Sequence, residues 1–263
     1  MGVLTPTTLE RVQELFPSYK LLTLEPTSDG VVDTTFIVSS GTKSYILKHY
    51  ERDISTKIVA DTKLLSRLFE AGLNVPILLA SNKGWYLYKK LDGRLPTWIN
   101  ARHIVSLARF IAKMHSLTKK MPSSRDFMDN YDIKGTLRYT KKHHYAYFKK
   151  LSFLEGFEMQ KDALIHGDIF KDNCVYKGAM LGVFDCIDSG DGEFLFDVAV
   201  ALTAFNPQNS PLFLNLFLKT YNQTAPQKLK KEELKAMIKT TSAFYALLRI
   251  GKYKNTKKAK ELL

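Results

Sequence analysis

A histidine, an aspartate and an asparagine interrupt the otherwise apolar stretch "LIHGDIFKDNCVY" at residues 164–176. Two of them, Asp168 and Asn173, are costly to bury unless they bind a partner. A carboxylate such as Asp168 can orient an attacking hydroxyl group and accept its proton. An amide oxygen such as that of Asn173 can bind a divalent cation, because Mg²⁺ prefers oxygen ligands. The stretch therefore indicates a ligand site.

Asp185 supplies a second candidate metal ligand. It ends the segment "CVYKGAMLGVFD", which is typical of a β-hairpin that begins directly after Asn173, and a hairpin returns its two ends to one place. The spacing His166-x-Asp168-x-x-x-x-Asn173, followed by a hairpin and an aspartate, matches the kinase signature. We therefore predict phosphoryl transfer from ATP, with Asp168 as the base and with Asn173 and Asp185 as Mg²⁺ ligands. His166 is predicted to fix the loop by hydrogen bonding, because Asp168 already fills the role of base.

Each of these residues also has a plainer interpretation. Asp168 could be a loop carboxylate, Asn173 a turn residue and Asp185 the cap of a strand end. These interpretations are preferable residue by residue, but the combined spacing should occur by chance at roughly one in a million starting points. Asp197, twelve residues beyond Asp185, adds another fixed position. The whole pattern favours phosphoryl transfer.

The segment 164–205 resembles the superfamily of aminoglycoside phosphotransferases, choline kinases and homoserine kinases. The superfamily pattern is H-G-D-L-x-x-x-N, then I-D, then [FY]-D-[LV]-A, and this chain has "HGDIFKDN", "FD" and "FDVA" at the same spacing. "GDIFKDNCVY" and the late helix "SAFYALLRIGKY" are most similar to homoserine kinases. The resemblance covers nearly the whole chain and implies a bilobal fold of the protein-kinase type. It also implies that Asp197 braces the catalytic loop from the start of a helix.

The elements around the motif predict an α+β fold with two lobes. Residues 1–90 are predicted to form a β-rich, nucleotide-binding lobe with one main helix, and residues 91–263 a mostly helical lobe for catalysis and acceptor binding. His115, near the end of the first helix of the second lobe, is predicted to be structural. The helices predicted there cover residues 100–117, 132–154, 194–205, 210–222 and 231–253.

The first lobe contains the residues that the resemblance assigns to the nucleotide. Lys48, on the third predicted strand, corresponds to the lysine that holds the α- and β-phosphates, although an exposed strand lysine is the plainer alternative. The helical glutamate that pairs with this lysine in the superfamily is replaced by Asp61, which is one methylene shorter. The backbone from Tyr88 to Lys90 corresponds to the hinge that binds adenine.

The turn "SDGVVDTTF" corresponds to the segment that covers the phosphates. It contains a single glycine, Gly30, so by itself it is only weak evidence for a phosphate-binding turn. Thr34 and Thr35 could offer hydroxyl groups to phosphate or could be ordinary strand residues. Both interpretations stay open at this point.

The acceptor is predicted to be a small hydroxyl compound and not a protein. Only twelve residues separate Asp185 from Asp197, which leaves no room for an activation segment. No Ala-Pro-Glu sequence follows, and Asp-Cys-Ile replaces Asp-Phe-Gly. Without that platform a peptide has no surface on which to lie.

Homoserine is the first choice of acceptor, because the resemblance is greatest to homoserine kinases. Its ammonium group would need a carboxylate partner, and its carboxylate would need a cation. Asp188 and Glu193, with Asp191 between them, are the candidates for the ammonium group. Lys171 or Arg249 is the candidate for the carboxylate. A solvated turn is the alternative interpretation of "DSGDGE".

Departures from the homoserine kinases keep other acceptors open. The chain is shorter than those kinases and lacks their aromatic D-F-Y segment, and Asp188 is more similar to choline- and aminoglycoside-type members. Choline, ethanolamine or an aminoglycoside would also suit an acidic pocket. Choline would need an aromatic cage, for which the candidates are Phe205, Phe244 and Tyr245.

The charge of the chain leaves two other classes of function open. Lys and Arg number 39 against 26 Asp and Glu, a net charge of +13, which nucleic-acid binding could explain. No nucleic-acid module signature is present, so we predict a lysine-rich solvated surface and no nucleic-acid partner. A non-catalytic nucleotide-binding protein of the same fold is the remaining alternative.

The sequence also predicts a cellular setting. No apolar run is long enough to cross a bilayer, and the first residues lack a signal-peptide pattern, so no membrane partner is predicted. Cys174 and Cys186 have neither zinc-ligand nor Cys-x-x-Cys spacing, and a reduced cytoplasm is expected. The oligomeric state is left open.

Overall fold

The computed structural model describes residues 4–27, 32–121, 125–206 and 210–263. The chain divides into two compact units. The first unit is dominated by one antiparallel sheet and the second by helices, so the predicted α+β class is confirmed. The first unit comprises Met1–Leu95 and Cys174–Ile187, and the second Pro96–Asn173 and Asp188–Leu263.

Five antiparallel strands form the sheet of the first unit. They are β1 (Thr23–Pro26), β2 (Thr34–Ser39), β3 (Ser44–His49), β4 (Leu78–Asn82) and β5 (Trp85–Lys89), in the order β1-β2-β3-β5-β4. The register places Phe36 opposite Leu47 on the face that packs against helix α1 (Leu9–Leu15). Thr35 lies opposite Lys48, and alternation along the strands puts this pair on the other face. The sheet therefore presents Lys48 away from its apolar core.

Helix α2 (Ile58–Glu70) is amphipathic, as its spacing predicts. Leu64, Leu65 and Leu68 form its buried stripe. The helix ends before Gly72, which has a φ of 80° and donates its N–H to the carbonyl of Phe69 at 2.8 Å. Glycine is favoured at this left-handed position, so the predicted stop signal acts through the backbone.

Helices form most of the second unit. They are α3 (Ala101–Thr118), α4 (Ile133–His143), α5 (Tyr145–Leu151), α6 (Phe194–Phe205), α7 (Pro211–Thr224), α8 (Lys231–Gly251) and α9 (Thr256–Lys260). Strands β6 (Ala163–Ile165) and β9 (Gly190–Gly192) pair antiparallel. Phe127, Phe194, Phe196 and Phe244 are buried in the core beside them, and this core supports the loop that follows β6.

The hairpin of β7 (Cys174–Lys177) and β8 (Met180–Val183) belongs to the first unit. Cys174 lies opposite Val183, as predicted for a hairpin. The predicted division at residues 90 and 91 differs here, because it assigned the hairpin to the helical lobe. The physical reason is backbone pairing: Val183 donates its N–H to the carbonyl of Asn74 at 3.1 Å, and Tyr176 exchanges two hydrogen bonds with Arg94.

Two helical regions differ from their predicted extents. The helix predicted over 132–154 is divided into α4 and α5, because His144 has non-helical angles of φ −144° and ψ 55°. Helix α9 and the β6–β9 pair are additions that the sequence patterns did not predict. Within the described ranges, no helix combines the length and apolarity needed to cross a bilayer.

Candidate active site

The loop that carries Asp168 has a conformation that depends on glycine. Gly167 has a φ of 75°, a left-handed value that side chains rarely adopt. A Cβ atom at this position would also collide with the ring of Phe127. The loop therefore passes directly over a core phenylalanine, and Asp168 follows the turn.

Asn173 contacts Asp168 through its amide nitrogen. Nδ2 donates to the backbone carbonyl of Asp168 and to its carboxylate Oδ2, both at 2.8 Å. Two acceptor oxygens fix which end of the amide is the nitrogen. Among the described residues, none donates to Asn173 Oδ1, so this oxygen is available to a cation. The predicted metal-ligand atom is thus oriented by the predicted base.

Asp197 is the aspartate of the FDVA motif and lies in α6. Its carboxylate binds the backbone of the same loop. Its Oδ1 accepts the N–H of Gly167 at 2.7 Å, and its Oδ2 accepts the N–H of His166 at 3.2 Å. His166 Nδ1 in turn accepts the N–H of Asp168 at 3.2 Å. These contacts have the form that the sequence analysis expected for both residues: Asp197 braces the loop and His166 fixes it internally.

His115, in α3, completes the support of Asp197. Its Nε2 lies 3.0 Å from Asp197 Oδ2, its Nδ1 lies 2.7 Å from the hydroxyl of Tyr221, and its ring stacks on Phe194. Burial alone would raise the pKa of Asp197, but the hydrogen bond and charge of His115 lower it below its ordinary value. His115 is predicted from the sequence only to be structural, and its partners Asp197 and Tyr221 are not predicted. A histidine on the core-facing stripe of α3 was the available signal for a buried partner.

Tyr245, in α8, holds the loop from its carbonyl side. Its hydroxyl donates to the carbonyl of Gly167 and is hydrogen-bonded to the hydroxyl of Tyr131. Burial raises the pKa of Tyr245 well above its ordinary value, so the hydroxyl stays protonated and can donate. Neither Tyr131 nor this role of Tyr245 was predicted.

The predicted choline cage is not present. Phe205 and Phe244 are completely buried, and Tyr245 is buried against the loop. The ring of Phe244 packs edge-on against Phe196, with 5.4 Å between the ring centroids. These rings form core, so their faces are not available to a cation.

Lys48 and Asp185 form an ion pair in the first unit. Lys48 Nζ lies 2.7 Å from Asp185 Oδ1 and 3.6 Å from Asp33 Oδ2. Burial would lower the pKa of Lys48, but the charges of Asp185 and Asp33 raise it above its ordinary value, so the side chain stays cationic. Asp185 has a φ of 68°, an uncommon and costly conformation for a residue with a side chain. Such strain is concentrated at functional sites.

The partners of Lys48 differ from the predicted one. Asp61 is the predicted partner of Lys48, whereas the structure shows ion pairs of Lys48 with Asp185 and Asp33. Asp61 is buried in α2, and its charge contributes to the raised pKa of Tyr50 and of Tyr88. The hydroxyl groups of these tyrosines lie 3.2 Å apart, so Asp61 acts on a buried tyrosine pair.

The phosphate-covering turn is described in part. Gly30 lies outside the described residues. Thr34 is buried, and its Oγ1 donates to Glu51 at 2.6 Å and accepts the N–H groups of Leu4 and Thr5. Its hydroxyl is therefore engaged by the protein, which favours the strand interpretation. Thr35 lies opposite Lys48 and stays a candidate for phosphate binding.

The predicted hinge is tied into the sheet. Tyr88 is buried in β5 and lies opposite Ile46. The N–H of Lys90 donates to the carbonyl of Ser44 at 3.4 Å, which is a long hydrogen bond. Adenine binding by the backbone from Tyr88 to Lys90 stays a prediction, and Lys90 would have to release Ser44 to donate.

Among the predicted acceptor residues, Asp188 carries a charge that acts on the same tyrosine as the charge of Asp168. Burial, followed by the charges of Asp168 and Asp188, raises the pKa of Tyr131 well above its ordinary value. Both carboxylates therefore act on the same phenol. The backbone carbonyl of Asp188 accepts a hydrogen bond from Asn130 Nδ2 at 2.9 Å.

The other predicted acceptor residues are more widely distributed. Glu193 precedes α6, and burial together with the charge of Asp162 raises its pKa. Lys171 is exposed in a short 3₁₀ turn. Arg249 lies 5.9 Å from the ring of Phe170 and donates to the carbonyl of Lys258 at 3.1 Å. Among the described residues, no hydrogen bond or ion pair joins these three side chains to one another.

A model of the phosphotransferase enzyme family matches residues 23–231. The chain belongs to this family. Membership confirms the predicted superfamily and the prediction that the protein is an enzyme that transfers phosphoryl groups. The homoserine kinase of Janthinobacterium sp. (strain Marseille) is 22% identical over 228 residues, which cover 77% of this chain and 71% of the relative.

Solved structures of other kinases have a similar fold. An amicoumacin kinase, in complex with AMP-PNP and Ca²⁺, has a TM-score of 0.71 and 19% identity, and the match covers 91% of this chain and 84% of the other. The choline kinase LicA from Streptococcus pneumoniae has a TM-score of 0.64 and 16% identity, with 96% of each chain covered. At these identities the likeness concerns the fold.

Proposed function

We propose that the protein is an ATP-dependent O-phosphotransferase whose acceptor is a small hydroxyl metabolite, with homoserine as the first choice. The observation that carries the proposal is the contact between Asp168 and Asn173. It fixes a carboxylate in the loop that the family uses for catalysis, and it leaves an amide oxygen free of protein donors among the described residues. A cytoplasmic location, where ATP is present, stays a prediction.

Four residues have the chemistry that the reaction needs. Asp168 would accept the proton of the acceptor hydroxyl, and Lys48 would hold the nucleotide phosphates. Asn173 Oδ1 and Asp185 Oδ2 fit Mg²⁺, because both are oxygens and, in the described part of the chain, no donor occupies either atom. The bound nucleotide and its Mg²⁺ supply the transferable phosphoryl group and offset its negative charge.

The acceptor choice rests on two observations. The relative from Janthinobacterium is named homoserine kinase. Asp188 acts electrostatically on the same phenol as Asp168, and its carboxylate suits an ammonium group. A choline kinase shares the fold, but the three proposed cage aromatics are core residues. Ethanolamine and aminoglycosides remain as alternative acceptors with an ammonium group.

The test is ADP formation from ATP and Mg²⁺ with homoserine, choline, ethanolamine and an aminoglycoside as separate acceptors. We expect homoserine to give the highest turnover, and Asp168→Ala to lower kcat by about 10² to 10⁴ with nucleotide binding retained, because loss of a general base has that effect. Turnover with another of these acceptors would keep the enzyme class and change the substrate. Nucleotide binding without turnover for any acceptor would favour a non-catalytic nucleotide-binding protein.

A further inference from the structure

The net charge of the chain is concentrated in two segments of the second unit. Residues 133–154 and residues 249–260 each contain six Lys and Arg and no Asp or Glu. Of the 39 Lys and Arg, these twelve leave 27 to balance the 26 Asp and Glu elsewhere. Outside the two segments the chain is therefore nearly neutral. The two segments therefore account for nearly all of the net charge.

The two segments pack against each other. Lys254 Nζ lies over the ring of Tyr139, 3.0 Å from its centroid. Gly251, at the end of α8, approaches α4 so closely that a Cβ atom there would collide with Thr136. Helices α4, α5 and α9 and the end of α8 thus form one surface, here named the basic face. Its exposed cations are Lys134, Arg138, Lys141, Lys142, Lys149, Lys150, Lys252, Lys254, Lys257, Lys258 and Lys260.

Carboxylates do not neutralise the part of this face that α4 and α5 contribute. Among the described residues, their lysines and arginine form no ion pair. Lys141 and Lys149 instead lie over the rings of Phe148 and Tyr145, at 5.3 and 5.2 Å. The adjacent Asp132 is engaged as the cap of α4, where it accepts the N–H of Gly135. The face therefore has a strong positive potential that attracts anions.

Exposed aromatic side chains accompany the lysines. Tyr145, the first residue of α5, is 56% exposed, and Phe153, two residues after the end of α5, is 54% exposed. Tyr253, in the second segment, is 40% exposed. Lysines combined with exposed aromatic rings are typical of helices that lie at the interface between a bilayer and water.

We propose that the basic face binds the surface of a membrane that carries anionic lipid headgroups. Clusters of four to eight lysines on such helices are enough for peripheral attachment, with no spanning segment. The prediction of no membrane partner considered only spanning and signal segments. A nucleic acid fits less well, because the sequence contains no nucleic-acid module signature. Arginine is the residue of choice for nucleic-acid recognition, and Arg138 is the single exposed arginine of the face.

Sedimentation with lipid vesicles tests the proposal on the full chain. The vesicles are phosphatidylcholine alone, or phosphatidylcholine with about one phosphatidylglycerol in three lipids. The face variant replaces Lys141, Lys142, Lys149 and Lys150 with Gln. The matched control variant loses the same charge elsewhere, by substitution to Gln at the exposed Lys43, Lys63, Lys219 and Lys239. Thermal unfolding and nucleotide binding show that both variants are folded.

We expect the wild-type chain to sediment with the anionic vesicles only. Each lysine near an anionic surface contributes about a fivefold factor, so the face variant should bind a few hundredfold more weakly. The control variant should stay within about tenfold of the wild-type chain, and salt at about 1 M should release the protein. Tyr145→Ser with Phe153→Ser should weaken binding further at low salt.

Four outcomes would overturn the proposal. They are absence of sedimentation, equal sedimentation with neutral vesicles, equal losses in the face and control variants, and tighter retention of the wild-type chain by a DNA duplex than by the anionic vesicles at the same salt. The last would assign the face to nucleic acid. All of these readouts are independent of acceptor identity, so they do not depend on the proposed function.

Discussion

The loop around Asp168 and the side chain of Lys48 are held in two different ways. In the loop, backbone groups are fixed by buried side chains: the N–H groups of His166 and Gly167 donate to Asp197, and the carbonyl of Gly167 accepts from Tyr245. Lys48, in contrast, is held by the carboxylates of Asp185 and Asp33. The hydrogen bonds of the loop are all formed within the protein. The ion pairs of Lys48, in contrast, hold a cation that a phosphate group would also attract.

This difference separates stability from ligand affinity. Hydrogen bonds to the loop backbone form when the second unit folds, so the loop is organised before any ligand arrives, which is what efficient electrostatic catalysis requires. In the proposed function, Lys48 shares or exchanges its carboxylate partners when phosphates bind. We therefore expect substitutions around the loop to lower the free energy of unfolding, and substitution of Lys48 to weaken nucleotide binding.

Asp197→Ala should have the largest effect. The change leaves His115 buried without its carboxylate and removes the acceptor of two loop N–H groups. Each buried donor left without an acceptor costs about 1–3 kcal/mol, so the three lost hydrogen bonds should together cost about 3 kcal/mol or more. Urea denaturation should show a loss of this size in the free energy of unfolding.

The control for this prediction is an exposed ion pair. Asp92 and Lys177 lie 2.9 Å apart and are both exposed, so Asp92→Ala should leave the free energy of unfolding almost unchanged. Equal losses in Asp92→Ala and Asp197→Ala would contradict the idea that the buried network supports the loop.

Lys48→Ala tests the second arrangement, in which carboxylates hold the side chain of Lys48. We expect the Kd for ATP to rise by about tenfold or more, because a charge-assisted hydrogen bond is worth about 1.5–3 kcal/mol. Isothermal titration calorimetry measures this value. Lys43→Ala is the matched control, since Lys43 is an exposed lysine directly before strand β3 and lies outside the predicted hinge. An unchanged Kd in Lys48→Ala would remove this residue from the nucleotide site.

Much of the fold and the centre of the site followed from local sequence pattern. The strands β2 and β3 were predictable because each is a short run of β-branched and aromatic residues beside a turn, and α3 because its apolar residues recur at helical spacing. The hairpin after Asn173 and the contact of Asn173 with Asp168 depend on residues that are close in sequence. Local spacing determines such features, so a single sequence contains enough information.

The supporting residues were not predictable in the same way. His115 contacts Asp197 across 82 residues and Tyr221 across 106, and Tyr245 contacts Gly167 across 78. These contacts depend on how helices pack, which the spacing of residues in one helix does not determine. Asp33 was missed for a similar reason, because only the pairing of β2 with β3 brings its turn to Lys48.

The smallest expected effect concerns pH. The pKa of Asp197 is lowered in the folded protein, although burial alone would raise it, because His115 hydrogen-bonds to it and attracts its charge. An aspartate whose pKa falls on folding adds stability above its unfolded pKa of about 4, and that stability is lost as the pH falls through the folded value. In His115→Gln the pKa of Asp197 should rise, because burial is no longer offset.

His115→Gln should therefore destabilise the protein by about 1–3 kcal/mol at pH 7, with a difference from wild type that shrinks as the pH falls through the lowered pKa of Asp197 in the wild-type protein, below which Asp197 is protonated in both proteins. Urea denaturation across this range measures the difference. Tyr221→Phe is the control, because it removes only the hydrogen bond to His115 Nδ1 and should cost about 1 kcal/mol at every pH. If the cost of His115→Gln were equally independent of pH, His115 would support the loop by packing alone and not through the charge of Asp197.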